Sequence, residues 1–337
     1  MENFVKYALD HGGSIHPLII PSELHSGLGL MNPSVFNHNG KIIVILRSVN
    51  YTFYHSERKL FQHPWGPLTY IHPQDDIHLR TWNYWLELDD NLSVQKQHKI
   101  NTDRFDTYEP AWDFVGLEDA RLIYWNNEFY ITGVRRDTTP NGEGRMELSR
   151  LEVRKDSVTE VDRWRIPLPD GHPYSYCEKN WMPLVAEPFR YIKWSNPGEC
   201  VDVDPQAKQT VYHKRSTLEQ EINRAPRGGS QVMTLEDGYF AITHEVDLFN
   251  SEVGRKDAIY RHRFVKWDKD FNLVQWSKDF SIMNGDVEFA VGMCEYGEDD
   301  LLISFGFQDN AAFLLRASKL AVVNFMLGNY DADSYLQ

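Results

Sequence analysis

The chain has 337 residues, of which 42% are hydrophobic, 25% charged and 13% aromatic, so one large core is affordable and a disordered chain is excluded. A formal net charge of −14 opposes binding to nucleic acid or to an anionic membrane surface, and no apolar run is long enough to span a bilayer. Three cysteines (Cys177, Cys200, Cys294) match neither a disulfide framework nor a zinc pattern, and the first residues lack a signal-peptide pattern, so a reducing, cytoplasmic setting with no metal is expected.

A weak internal repeat organises the chain from residue 32 onward. Its unit is a polar start, an apolar run, a short acidic or Gly/Asn turn, and a second apolar run, which is the signature of a β-hairpin. The first copy spans 32–47, with the turn Asn37-His38-Asn39-Gly40. Residues 51–110 follow and read as an insertion near a channel mouth, although 80–100 also look like outer strands. The second copy spans 118–136 around Trp125-Asn126-Asn127-Glu128, and the third spans 179–194. Thr217–Asn223 is the best helix candidate and is brief. The fourth copy spans 229–245, residues 260–277 look like outer strands, and the fifth copy spans 289–306. The segment 316–337 is expected to close or cap the structure. Five hairpins with room for further strands between them predict an all-β, five-bladed β-propeller in one domain, 1–337. A β-sandwich with chance similarity among hairpins is the competitor.

In a propeller the innermost strands line the channel, so the ends of the hairpins should converge. The second copy offers Glu118, Asp119 and Arg121 at its start and Arg135, Arg136 and Asp137 at its end. The others offer Asn32, Arg47, Lys179, Asn180, Arg227, Ser230, Gln231, His244, Glu245, Glu288 and Asp309. Facing carboxylates are what glycoside chemistry requires: one protonates the departing oxygen and another activates water. Asp119 leads, with Glu118 and Glu245 as further catalytic candidates. Arg121, two residues on, should share a strand face with Asp119 and hold its charge. The alternative is that Glu118-Asp119-Ala120-Arg121 is a structural ion pair locking one blade to the next. The arginines likewise suit either an anionic co-substrate, inorganic phosphate or a sugar nucleotide, or the neutralisation of neighbouring acids. A lone His such as His244 is more often a hydrogen-bonded core residue than a catalyst.

Four segments resemble glycoside hydrolase family 130, the mannoside phosphorylases and mannosidases. Gly116-Leu117-Glu118-Asp119-Ala120-Arg121 is similar to that family's Gly-x-Glu-Asp-Pro-Arg motif, with Ala120 in place of Pro. Lys179-Asn180-Trp181, Asp237–His244 and Phe305–Ala311 are similar to its third-, fourth- and fifth-blade segments. The resemblance implies an inverting reaction at mannosides, with the proton donor's role falling on Asp119 and sugar-binding roles on Asp309 and His244. Arg47, Arg121, Arg135, Arg136, Lys179, Asn180, Arg227, Gln231 and Glu288 complete the expected substrate-binding set. Hydrolysis, phosphorolysis, glycosyl transfer from a sugar nucleotide or sugar phosphate, and non-catalytic glycan binding are the open functions. The sequence leaves the sugar and the oligomeric state undecided.

Overall fold

The computed structural model describes residues 2–25, 27, 29–55, 68–216, 220–222, 226–235, 237–250 and 256–329. Among them, strand pairing builds successive, mainly antiparallel groups of strands, sheets one to five, in chain order; the first two groups join at their outer edges into one nine-stranded sheet, and the fourth is widened to seven strands by short segments. Sheet one contains Gly29–His38, Lys41–Val49, Leu79–Leu88 and Val94–Asn101. Sheet two contains Glu118–Trp125, Glu128–Arg135, Arg145–Arg154 and Ser157–Arg165. Sheet three contains Met182–Pro183, Arg190–Ser195, Gly198–Asp204 and Gln209–Arg215. Sheet four is built on Met233–Leu235, Gly238–Asn250, Lys256–Asp268 and Leu273–Trp276. Sheet five contains Glu288–Tyr296, Asp300–Phe307, Ala311–Ser318 and, returning from the start of the chain, Ser14–Pro17. This is an all-β, near-closed arrangement of the propeller type that the repeat predicts, and the predicted hairpins contribute strands to each sheet.

Local chemistry explains the hairpins. Asn39 and Gly40 have φ of 53° and 85°, and Asn126 and Asn127 have φ of 50° and 64°. Two consecutive left-handed residues make the turn whose twist matches flanking strands, and Asn and Gly adopt that conformation at least cost. Ile42 to Val49 are all buried because an inner strand is covered on both faces by neighbouring sheets. Such strands read as continuous apolar runs, whereas the outer strand Val94–Asn101 buries only Ile100. Trp85, Trp125, Trp181 and Trp267 are each 1% exposed and fill the space between sheets. Each buries ~150–250 Å².

Direct bonds join every neighbouring pair of sheets. Leu122 N donates to Ser34 Oγ (3.1 Å), Trp125 Nε1 to Leu184 O (2.8 Å) and Val232 N to Pro183 O (2.9 Å). Ala290 N donates to His262 Nε2 (3.2 Å), and Val35 N donates to Ser304 Oγ (3.0 Å), which closes the ring from sheet five to sheet one. At the periphery, Val94–Asn101 also pairs in parallel with Ser157–Arg165 through Ile100–Val158 and Asn101–Thr159. The outer edges of sheets one and two are thereby tied together.

The strand that completes sheet five comes from the N-terminus, not from the 316–337 segment. After Ser318 the chain turns into a helix, Lys319–Leu327, capped by the Ser318 side chain and ended by Gly328 at φ 82°. A second helix, Phe4–Asp10, is capped by Asn3. Phe4 packs against Phe264, Phe280 and Phe325 at ring separations of 5.0, 5.2 and 4.9 Å. Both helices thus lie against the apolar cluster of sheets four and five. Most of the predicted helix Thr217–Asn223 lies outside the described residues, and 220–222 have no regular structure. Within 51–110, Thr52–His55 pairs with Leu68–Ile71, and Leu79–Leu88 and Val94–Asn101 belong to sheet one. Among the described residues no helix is long and apolar enough to cross a membrane.

Candidate active site

At one end of the channel, three chain segments use the same backbone device. Asn32, Asp119 and Asn180, at the starts of the first three hairpins, are left-handed, with φ of 45°, 51° and 61°. The ladder slips a register at two of these places, between Met31 and Ser34 and between Glu118 and Arg121. Left-handed Asn and Asp inside a β-bulge cost energy and redirect a side chain out of the strand's alternation. Here they gather three polar side chains. Asn32 Nδ2 donates to Asp119 Oδ1 (2.8 Å), and Asn180 Oδ1 accepts from Arg121 (3.5 Å). Asn32 also explains Gly306, where a Cβ would stand 2.0 Å from Asn32 Oδ1.

The bulge changes the partner of Asp119. With the alternation broken, Arg121 does not reach the carboxylate. Its Nη1 donates to the Asp119 backbone O (3.0 Å) and its Nε to Gly229 O (2.7 Å), and the side chain is fully buried. The expected Asp119–Arg121 pair is replaced by Arg47 of sheet one, whose Nη1 donates to Asp119 Oδ1 at 2.9 Å. Arg47 also donates to Thr81 Oγ1 (3.1 Å), Tyr51 OH (2.8 Å) and Glu118 Oε2 (3.4 Å). Burial pushes the Asp119 carboxyl up, but Arg47, Lys179, the Asn32 hydrogen bond and Arg121 outweigh it and hold it below the usual carboxylate range. Burial opposes charge on Arg47 too, and Tyr51, Asp119, Glu118 and Asp309 outweigh it, so the guanidinium stays charged. Burial lowers Arg121 to about 10, which leaves it cationic at neutral pH. Both bonds to the Asp119 carboxylate go to Oδ1, and its side chain keeps 11% exposure.

Other predicted residues join this mouth. Lys179 is exposed and Arg227 half-buried, and neither forms an ion pair with the described residues. His244, opposite Arg227 in the ladder, is 2% exposed, and its Nδ1 lies 2.9 Å from Gly228 O. Burial, His262, Arg227, Lys179 and Arg121 all press its pKa well below the ordinary value, so the ring is neutral. Asp309, left-handed at φ 48° and half-buried, acts on Arg47, Tyr51 and Tyr260. Arg136 contacts Glu118 (3.7 Å) and Cys177 Sγ (3.1 Å).

Four expected site residues are placed elsewhere. Gln231 is 0% exposed at the ring centre, where Nε2 donates to Ser34 Oγ (2.9 Å), Val35 O (3.2 Å) and Leu122 O (2.8 Å) and Oε1 accepts from Met293 N (3.2 Å). Glu288, also 0% exposed, accepts from the backbone N–H of Ile282, Met283 and Gly285 at 2.6, 2.6 and 2.7 Å. Its oxygens hold a loop. Glu245 is 1% exposed and paired with Arg263 at 2.5 Å. Arg135 points away from its neighbour Arg136, as alternate strand residues must, and pairs with Glu147 at 2.8 Å. Asn32, expected from the start of the first hairpin, joins the mouth, where its position matches those of Asp119 and Asn180. Conversely, Tyr51, Thr81 and Tyr260 belong to the mouth without being in the expected set.

No protein-family profile matches the chain, and no curated protein does. Solved structures do. A β-1,2-mannobiose phosphorylase from Listeria innocua superimposes with a TM-score of 0.56 at 14% identity, covering 93% of this chain and 97% of that one. A glycosyl hydrolase from Bacteroides ovatus gives 0.57 at 11% identity, with coverages of 87% and 84%. A mannose phosphorylase from Leishmania mexicana, in complex with phosphate ion, gives 0.50 at 14% identity, with coverages of 94% and 92%. At these identities the likeness establishes a shared propeller fold.

Proposed function

We propose that the chain is a carbohydrate-active enzyme that transfers a glycosyl unit, in the manner of a mannoside, between a sugar hydroxyl and a phosphate-bearing partner, with Asp119 as its acid–base group. The observation that carries this reading is Asp119 itself. It is an ionised carboxylate on a left-handed bulge, with one oxygen anchored by Arg47 and Asn32 and the other left for substrate. Lys179 beside it, and Arg227 beside His244 and Tyr260, are uncommitted cations that suit a phosphate group. The likeness to phosphorylases, one of them in complex with phosphate ion, supports the same substrate class.

In the synthetic direction Asp119 takes the proton of an acceptor hydroxyl, whose oxygen attacks the anomeric carbon. The bond from that carbon to the phosphate oxygen breaks, and the phosphate leaves with the electron pair toward the cations. In the reverse direction phosphate attacks and Asp119 returns the proton to the leaving oxygen, directly or through a sugar hydroxyl. Either way the configuration inverts. A phosphorolytic site needs one acid and an anion pocket. Hydrolysis by inversion needs a second carboxylate as base, and Glu245 and Glu288 are consumed by Arg263 and by backbone. Asp309 favours hydrolysis as the second reading, because it is half-buried at the mouth beside Tyr260.

NMR product analysis tests this. Manno-oligosaccharides incubated with phosphate should yield mannose 1-phosphate, and Asp119→Asn should form it ~10²–10⁴-fold more slowly. Free mannose at equal rates with and without phosphate would transfer the reading to hydrolysis. Binding without any product would leave a lectin.

A further inference from the structure

A cavity of about 640 Å³ lies between sheets one and two, apart from the channel mouth. The parallel ladder joining the outer edges of these sheets walls it off, and residues 102–110 border it. Its size falls in the ~300–1,000 Å³ range of ligand pockets. Trp82 and Tyr108 supply aromatic surface, and Tyr108 is 36% exposed with its hydroxyl accepting from Arg135 (3.3 Å). Around them, five acidic side chains and three basic ones line the walls, which disfavours an anion. Aromatic surface set among acidic and amide side chains fits a neutral, hydroxyl-rich ring compound.

We infer that this cavity is a second carbohydrate site, taking one or two sugar rings of a glycan apart from the catalytic mouth. The inference rests on the carbohydrate reading of Asp119. The cavity is not isolated from that residue. Thr81, in its wall, accepts from Arg47 Nε at 3.1 Å, and Arg47 anchors Asp119 at 2.9 Å. Gly116, also in the wall, has φ 100°, and a Cβ there would stand 2.4 Å from Thr81 O. With no slack between Thr81 and Gly116, a sugar that presses on either shifts the segment leading into Glu118 and Asp119. Occupancy is therefore felt at the acid–base group through Thr81 and Arg47.

The test is calorimetric titration of full-length Asp119→Asn protein, which binds without turnover, with β-linked manno-, gluco- and galacto-oligosaccharides. Two binding events per chain are expected for at least one of these sugars. Adding Tyr108→Ala should weaken one event about tenfold and leave the other unchanged. Trp82→Phe, which keeps the packing, should weaken the same event if Tyr108→Ala fails to fold. In the otherwise native protein, Tyr108→Ala should alter the response of rate to added free oligosaccharide while sparing the rate on the smallest substrate. One binding event, indifferent to Tyr108→Ala and to Trp82→Phe, overturns the second site and leaves the enzyme reading intact. No binding of any sugar overturns both.

Discussion

The channel mouth and the ring centre are both polar clusters fed by several sheets, yet they are built on opposite principles. At the centre, the Gln231 amide exchanges hydrogen bonds with sheets one, two and five, and every partner is backbone or a buried hydroxyl. Nothing there remains to bind a ligand. At the mouth, Asp119 is tied through one oxygen, Lys179 is exposed, and three side chains stand on strained left-handed backbone. Convergence of polar residues therefore does not identify a site. What distinguishes the mouth is bonding capacity left over, held in place at a conformational cost.

Asp119→Asn should separate the two regions most sharply. It should lower turnover by ~10²–10⁴-fold, the usual worth of a positioned acid or base. Folding should be nearly retained, because Arg47 keeps Tyr51 and Glu118. Steady-state rates and a thermal melt on the same preparation check both halves. A stable mutant with full activity would remove Asp119 from the chemistry.

Gln231→Leu should do the reverse. It removes the acceptor of Met293 N and a donor from Ser34 Oγ, Val35 O and Leu122 O, at roughly 1–3 kcal/mol for each group left unsatisfied, so the melting temperature should fall by many degrees. The specific activity of the folded fraction should stay within a factor of about two, because no step runs through the plug. A rate loss as large as that of Asp119→Asn would merge the two regions into one site.

Lys179→Met should raise KM for phosphate about tenfold with little change in melting temperature, since an exposed cation contributes more to binding an anion than to folding. An unchanged KM would take Lys179 out of the anion pocket.

The pH dependence sharpens the comparison further. The folded pKa of Asp119 is depressed, so its contribution to stability is present above the unfolded value of about 3.9 and is lost as pH falls through the folded value. Acid unfolding of Asp119→Asn should therefore be less steep below about pH 4 than that of the native chain. Arg47→Met removes the principal cation beside Asp119 and should move the acid limb of the rate profile upward in the synthetic direction, where Asp119 acts as the base. Gln231→Leu should leave that limb in place. The smallest effect expected is from Asn180→Gly, which relieves a left-handed side chain and should change stability by no more than about 1 kcal/mol.

Much of the architecture was legible because it depends on local chemistry. Asn39-Gly40 and Asn126-Asn127 announce their turns, and inner strands buried on both faces read as unbroken apolar runs. The mouth was legible in outline, since the ends of successive hairpins had to meet. Its wiring was not. Pairing Arg121 with Asp119 assumed an unbroken alternation, and the bulge between Glu118 and Arg121 removes that assumption. Gln231 and Glu288 look like site residues in sequence because a buried polar side chain and a functional one are the same letters. Only the backbone groups that bond to them tell them apart. The helix Phe4–Asp10 was hidden because it is too short for periodicity and takes its stability from Phe264, Phe280 and Phe325, which are hundreds of residues away.

Ser14–Pro17 lies beside Ala311–Ser318, and this pairing sets a schedule for the molecule. A chain emerging from a ribosome can assemble the earlier sheets in turn, but Ser14–Pro17 has no partner until Phe313–Arg316 has appeared. Until then the apolar face of sheet one that meets sheet five has nothing to seal it. The last seam is also the one with the greatest sequence separation, so ring closure is the slow, non-local event of folding. A tag or fusion placed directly before Ser14 would load that seam, whereas one placed in an outer turn such as 205–208 would load a single sheet.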